Sequence, residues 1–144
     1  MTDLFGKALL DYYRNTQKSP LLLHNKFSEP DELDLEGYFF DESNFSDLEF
    51  YALELCKGTV LDVGAAAGRH CTYLQQKGFD VTGLDISPLC CELMKLRGVK
   101  KTLNENIFDH RHTPYDTLLL LMNGIGLTAD LDGLRLFFDH AKNI

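Results

Sequence analysis

The sequence predicts an α/β protein organised around a doubly wound parallel sheet, on three observations. The first is Gly58-Thr59-Val60-Leu61-Asp62-Val63-Gly64-Ala65-Ala66-Ala67-Gly68-Arg69-His70. Val60 to Val63 reads as a buried strand, small residues run from Gly64 to Gly68, and a helical pattern starts near Arg69. Strand, small-residue turn and helix open a βαβ unit, whose ligands bind where the turn leaves the C-terminal end of the strand. The second is Val81-Thr82-Gly83-Leu84-Asp85, a further strand that ends in an acid. The third is Asp116 to Met122, apolar on both faces as a central parallel strand between helices must be.

The remaining elements follow in chain order. Leu4, Phe5, Ala8, Leu9, Tyr12 and Tyr13 recur at helical spacing and predict a first helix that ends before Pro20. Leu21-Leu22-Leu23 is a short apolar anchor. Ser28 to Glu42 is acidic and carries Pro30 and Gly37, which makes it a loop. Within it, Tyr38-Phe39-Phe40 either plugs the core or covers a ligand. Ser46 can cap the next helix, Glu49 can close the capping box and Phe45 can staple onto Phe50. Leu48, Tyr51, Ala52 and Leu55 then line one face, and Gly58 ends the helix.

After the glycine turn a helix runs from about Arg69 to Lys77 and stops at Gly78. Phe79 to Asp85 forms the second strand. Ser87-Pro88 starts a helix with proline at its first position. Leu89, Leu93 and Leu96 form its stripe, and Gly98 terminates it. Lys100 to Leu103 is a short third strand, polar enough for an edge. Asn104 to Pro114 is a loop, and Leu131 to Lys142 is the last helix. The strand order should be 3-2-1-4.

Composition bounds the function. A chain of 144 residues allows one domain. The longest aliphatic run, Leu118 to Met122, is too short to span a bilayer, and no signal-peptide pattern opens the chain. The formal net charge of −8 argues against a dedicated nucleic-acid binder, which needs a basic face. Cys56, Cys71, Cys90 and Cys91 show no metal spacing and read as reduced core residues of a cytoplasmic protein. Asp109-His110-Arg111-His112 lacks a third spaced ligand, so these read as solvated loop histidines and no metal is expected.

Two acids carry the chemistry. Asp62 lies inside an apolar strand, where a carboxylate is costly unless something pairs with it. Asp85 stands about 20 residues beyond the glycine turn, where an acid can accept from ribose hydroxyls. One acid for an amine and one for a ribose suits a nucleoside with an amino-acid tail. A dinucleotide-binding G-x-G-x-x-G would need glycine at 64, 66 and 69, where the chain has Gly64, Ala66 and Arg69. A P-loop needs Gly-Lys-Ser/Thr, which does not occur.

On these residues, Gly58 to His70 resembles the first motif of class I S-adenosylmethionine-dependent methyltransferases, and Val81 to Ser87 resembles their second. The similarity runs from about Phe45 to the C-terminus. Ala66 departs from the glycine usual in the middle of the turn; it adds a methyl and removes positive φ as an easy option. The resemblance implies a Rossmann-like sheet with N-terminal helices, S-adenosyl-L-methionine as cofactor, and methyl transfer to a small-molecule or protein acceptor. Residues 1–44 would be an N-terminal helix and lid-like acidic loop, and 45–144 the cofactor-binding half of the domain. The family fold continues to seven strands, which implies a chain truncated after the fourth. The apolar strand-four edge would otherwise be covered by a second copy, in a symmetric homodimer, or by the N-terminal segment.

The resemblance also implies roles, each with a plainer alternative. Asp62 contacts the methionyl ammonium, or caps the amides of the turn. Gly64, Ala65 and Gly68 meet the methionine part through their backbone, or form a tight turn. His70 orients the ligand or acts as a base, or is a polar first-turn residue. Asp85 pairs with both ribose hydroxyls, or is a solvated strand end. Ile86 packs on the adenine or in the core. Asn106-Ile107 follows strand three, where the family places an acid for the adenine amino group; the Asn106 amide oxygen can accept the same bond without charge. Asn123-Gly124 would sit near the sulfonium, or simply turn the chain. No catalytic base can be named. Besides a methyltransferase, two readings stand: a half-fold that works by association, and a nucleotide-dependent oxidoreductase, which Arg69 and Asp62 disfavour.

Overall fold

In the computed structural model, which describes residues 2–111 and 113–144, four parallel strands form the central sheet. They are β3 (Thr59–Val63), β4 (Asp80–Asp85), β5 (Thr102–Asn104) and β6 (Thr117–Leu119). They lie in the order β5-β4-β3-β6, which is 3-2-1-4 in chain order. Register places Asp62 opposite Gly83 on one side and Leu119 on the other. Among the described residues five helices accompany them: α1 (Leu4–Tyr13), α2 (Asp47–Glu54), α3 (Arg69–Gln76), α4 (Pro88–Leu96) and α5 (Leu131–Ala141). A two-residue antiparallel pair, β1 (Leu22–Leu23) with β2 (Asp31–Glu32), stands apart from the sheet.

Alternation along the strands sorts the core. Val60 and Val81 face α2, α3 and α4, packing with Leu53, Cys71, Leu74 and Met94. Leu61, Val63 and Leu84 face the other way, against Phe137 of α5 and Ile107. Leu61, Leu74 and Leu93 are wholly buried; each contributes roughly 1.5–3 kcal/mol from removal of its apolar surface from water. The outer helix α1 sets Leu9 and Leu10 against Cys90 and Leu93 of α4 and against Ala66 and Ala67 of the glycine turn. Its cap, Asp3, accepts from Gly6 N at 2.9 Å and from Ser87 Oγ at 2.6 Å, tying the starts of α1 and α4 together.

Several expectations need correction. The expected inner face of α2 is largely outside: Leu48, Tyr51 and Leu55 are 74%, 62% and 57% exposed. Leu53 is buried instead. The capping box of Ser46 and Glu49 forms, and Phe45 draws Phe50 inward at a ring separation of 5.7 Å. Residues three apart share a helix face, so Phe50, Leu53 and Cys56 become the packed stripe. Leu22 and Leu23 are exposed rather than anchoring. The Ser28–Glu42 loop holds β2 and a 3-10 turn at Glu36–Phe39; a two-residue pairing has no period for a sequence pattern to report. Strand β6 covers only Thr117–Leu119 of the expected span.

Candidate functional site

The site forms at the C-terminal ends of β3 and β4. Beyond Val63 the chain turns through Gly64, whose N–H donates to Leu84 O at 2.8 Å. Gly64 has φ +73, and a Cβ there would meet nothing within 4 Å, so the backbone faces an open crevice. Gly68, at φ +74, faces the opposite way: a Cβ there would come within 2.9 Å of Met94 Cγ. Gly68 therefore sets helix–sheet packing, while Gly64 and Ala65 line the crevice. Ala66 adopts φ +49 despite its methyl, a left-handed conformation that costs an L-residue about 1–2 kcal/mol. Its N–H donates to Asp85 Oδ2 at 2.9 Å, which holds the turn in place.

Asp62, Asp85 and His70 meet in this one cavity of about 240 Å³, together with Phe5, Tyr38 and Arg69. The two acids are held differently. Asp62 is 3% exposed, and its hydrogen-bond donor is the Cys71 thiol at 3.2 Å. Burial raises its pKa, partly offset by the neighbouring His70. Asp85 accepts from two backbone N–H groups, Ala66 and Ser87, both at 2.9 Å; burial still raises its pKa against those bonds. The cap on the turn is thus Asp85, not Asp62, and Asp85 is no solvated strand end. The Cys71 thiol is pushed well up by burial and by Asp62, which makes it an inert donor.

Behind the acids lies a charged cluster. Glu49 receives His70 Nε2 at 2.9 Å and the Arg69 guanidinium, besides Ser46 N at 2.9 Å. Burial would push Glu49 up, but the bonds from His70 and Ser46 and the Arg69 charge bring it down to about 2. Arg69 also donates to Gly37 O and lies 4.8 Å over the Phe45 ring. Arg97 clasps the same N-terminal segment from the other side. It donates to Ala67 O at 2.6 Å and Tyr38 O at 3.4 Å, and lies 5.0 Å over Phe39. The aromatic triplet divides: Phe39 stacks on Tyr12 at 5.1 Å, while Tyr38 packs on Phe5 at 5.3 Å at the cavity wall.

The other expected residues fall around the crevice rather than in it. Ile86 is 70% exposed beside Asp85, so the core alternative fails. Asn106 Oδ1 accepts from Phe108 N at 3.0 Å and caps the 3-10 turn Ile107–Asp109. Ile107 is 3% exposed in the Leu61 and Leu84 core, which corrects its expected place on the ligand side. Asn123 is an exposed left-handed residue at φ +65; Leu121 and Met122 line the cavity in its stead. His110 is 1% exposed, not solvated, and bonds Glu105 and Thr113 O. His112 lies outside the described residues.

Sequence reading missed Phe5, Arg69, Leu121 and Met122 as cavity residues and Glu49 as the link between Arg69 and His70. The capping-box position of Glu49 was visible, but one carboxylate can serve a cap and a distant cation together. A larger cavity, of about 600 Å³, lies at the other end of the sheet around Thr59, Asp80, Lys100 and His110. Open α/β sheets bind ligands at the carboxyl ends of their strands, and Asp62 and Asp85 stand there. All four cysteines are free and buried. Among the described residues no helix is long and apolar enough to cross a membrane.

Comparison with known proteins agrees with this geometry. A family profile described as "Methyltransferase domain" matches residues 61–119. The chain superposes on an S-adenosylmethionine-dependent methyltransferase from Bacteroides fragilis, solved in complex with S-adenosyl-L-homocysteine, with a TM-score of 0.90 and 39% identity. That match covers 99% of this chain and 60% of the other, so the chain spans less than two thirds of its relative. The sugar N-methyltransferase KedS8 from a Streptoalloteichus species matches with a TM-score of 0.59 and 16% identity, over 85% of this chain and 54% of the other, a likeness of fold alone. No curated protein sequence matches the chain. With its Rossmann-like sheet and acid-flanked glycine turn, the chain carries a methyltransferase-domain match over residues 61–119 and is similar along its length to an S-adenosylmethionine-dependent methyltransferase.

Proposed function

We propose that the chain binds S-adenosyl-L-methionine in the Asp62–Asp85 crevice and takes part in methyl transfer to a small-molecule or protein acceptor. The observation that carries this reading is the meeting of two buried carboxylates with the open backbone of Gly64 in one cavity. The bound state of the Bacteroides fragilis relative supports it. The chemistry of the donor set also fits. Asp62 is a buried carboxylate with a thiol for its donor, and a ligand ammonium would offset its burial. Asp85, braced by two amides, offers a fixed acceptor to a ribose hydroxyl pair. Gly64 and Ala65 admit the amino-acid tail to the backbone, and exposed Ile86 is available to an adenine face.

When bound, the cofactor supplies a methyl group already activated on sulfur for in-line displacement. The chain's own residues then hold, align and dry the site. Tyr38 and Phe5 wall it from the N-terminal side, and Leu121 and Met122 from the β6 side. Three further assignments belong to this reading: His70 orients the tail, Asn106 accepts from the adenine amino group through the free lone pair of its amide oxygen, and Asn123 borders the methyl. The β6 edge has no outer strand partner among the described residues, and a second copy of the chain is proposed to cover it.

Calorimetry with S-adenosyl-L-homocysteine against NAD tests the reading. Saturable binding of the thioether and none of NAD is expected. Binding of NAD alone would return the site to the oxidoreductase reading, and binding of neither would leave an association module. Sedimentation at micromolar concentration tests the edge: a clean monomer removes the second copy.

A further inference from the structure

The larger cavity, of about 600 Å³, opens at the amino ends of β3 and β4. The length of β3, Thr59–Val63, separates it from the glycine turn; at 3.3 Å per residue that is about 13 Å, so the two are distinct sites. Its volume lies in the range of small-molecule pockets. Its lining is basic where the chain is acidic: Lys95, Lys100 and Lys101 stand against one carboxylate, Asp80, in a chain of net charge −8. Lys101 holds both Asp80 oxygens, at 2.7 and 2.8 Å. Lys95 and Lys100 make no ion pair among the described residues. Of the flanking acids, Glu105 is bonded to His110 and Asp116 to Thr59.

A second observation is independent of charge. Thr82 lies opposite Leu61 in the register, on the sheet face that packs Leu61 and Leu84. It is 6% exposed, and its hydroxyl makes no hydrogen bond among the described residues. The one fully covered side-chain polar atom without a partner there is Arg69 Nε. The Thr82 hydroxyl therefore keeps an open side, and what lies open beside Thr82 is the cavity. A buried hydroxyl on an apolar face is costly unless something bonds it. Leu103 and Tyr115 add apolar wall.

We propose that this cavity binds a phosphate monoester of a small apolar alcohol. Lys95 and Lys100 meet the dianionic phosphate, the Thr82 hydroxyl donates to it, and the organic part lies along Leu103 and Tyr115. A dianion matches the two unpaired ammoniums, and lysine binds phosphate as a point charge. Lys101 can join it, because an exposed pair such as that with Asp80 contributes little. The assignment does not depend on the cofactor reading.

Calorimetry at low salt tests it, with phenyl phosphate, inorganic phosphate and benzoate as probes, on the wild type, Lys95→Gln, Lys100→Gln and Thr82→Val. The wild type should bind phenyl phosphate saturably at one site, and the other two probes at least about tenfold more weakly. Each lysine variant should lose about tenfold and Thr82→Val about fivefold. Denaturant melts should stay unchanged, since both lysines are exposed and the Thr82 hydroxyl has no partner in the fold. Saturating S-adenosyl-L-homocysteine should leave the phenyl phosphate affinity as it was. No saturable binding at millimolar concentration overturns the proposal. So does equal affinity for benzoate, which removes the dianion, or for inorganic phosphate, which removes the organic part. Undiminished affinity in any folded variant overturns it, as does displacement by the thioether, which would move the ligand to the glycine-turn crevice. Should Thr82→Val fail to fold, the two lysine variants decide.

Discussion

Asp62 and Asp85 stand at the ends of adjacent strands, with Asp85 two residues beyond Gly83, the register partner of Asp62, yet they are built in opposite ways. Asp85 is braced: two backbone N–H groups point at it, and the turn it caps depends on it. Asp62 is nearly bare: a weak thiol donor meets it, and the neighbouring His70 is already bonded to Glu49. A braced acid serves structure and ligand together, because its bonds exist with or without cargo. A bare acid stores unfavourable desolvation that a cationic ligand can release. The difference teaches which residue holds the site's shape and which gives it its appetite.

Substitutions should separate the two. The largest combined effect, on stability and affinity together, is expected from Asp85→Ala, which removes the acceptor of both N–H groups and the proposed ribose partner. Stability should fall by about 2–4 kcal/mol and affinity for S-adenosyl-L-homocysteine by about 100-fold, since bonds to a charged group contribute about 1.5–3 kcal/mol each. Denaturant melts and calorimetry would check both; an unchanged melt would mean that the turn holds itself.

Glu49→Gln comes next. It leaves the buried Arg69 charge without its counterion, which typically costs about 3–5 kcal/mol. Glu49 in the folded chain lies near 2, below its ordinary 4.5, so its contribution is complete above the ordinary value and lost as pH falls towards 2. Wild-type stability should drop across that window, and the Glu49→Gln melt should be flatter there.

Asp62→Asn should differ from Asp85→Ala in stability, though it too weakens binding. The amide oxygen can still accept from Cys71, and a buried charge disappears. The melting temperature should hold or rise while ligand affinity falls about tenfold or more, the pattern of a site kept at the expense of stability. The same logic sets a pH signature. Burial holds the folded Asp62 above its ordinary value, so its charge destabilises the free protein at neutral pH and ceases to do so as pH falls through the folded value. Ligand affinity should weaken over that same fall, and the dependence should shrink in Asp62→Asn.

The smallest effect is expected from Ala66→Gly. Relief of the positive φ opposes the loss of a buried methyl and the added entropy of glycine. Stability should change by less than about 1 kcal/mol, with ligand affinity kept. A large loss would show that the methyl packs the turn.

The legible part of the molecule was the part governed by local rules. The Val60–Val63 run, the small-residue turn and the Ser87-Pro88 helix start each satisfy their backbone within a few residues, and each formed where expected. The α2 face failed because a short helix carries apolar residues on two sides, and the staple by Phe45 chose between them. Ile107 failed because position after a strand does not say which way a 3-10 turn points its side chains. The Leu22–Leu23 pairing failed because two residues carry no period.

The sequence by itself determined the strand–turn–helix frame and the two acids at its mouth, since period, glycine and spacing are local properties of the chain. Only the tertiary structure decided that Asp85 rather than Asp62 caps the turn, that Glu49 joins Arg69 to His70, and that Phe5 and Tyr38 wall the crevice. Those outcomes join residues 19 or more positions apart. What a buried polar group bonds to depends on which partners the packed chain delivers within hydrogen-bond reach, and no local pattern encodes that.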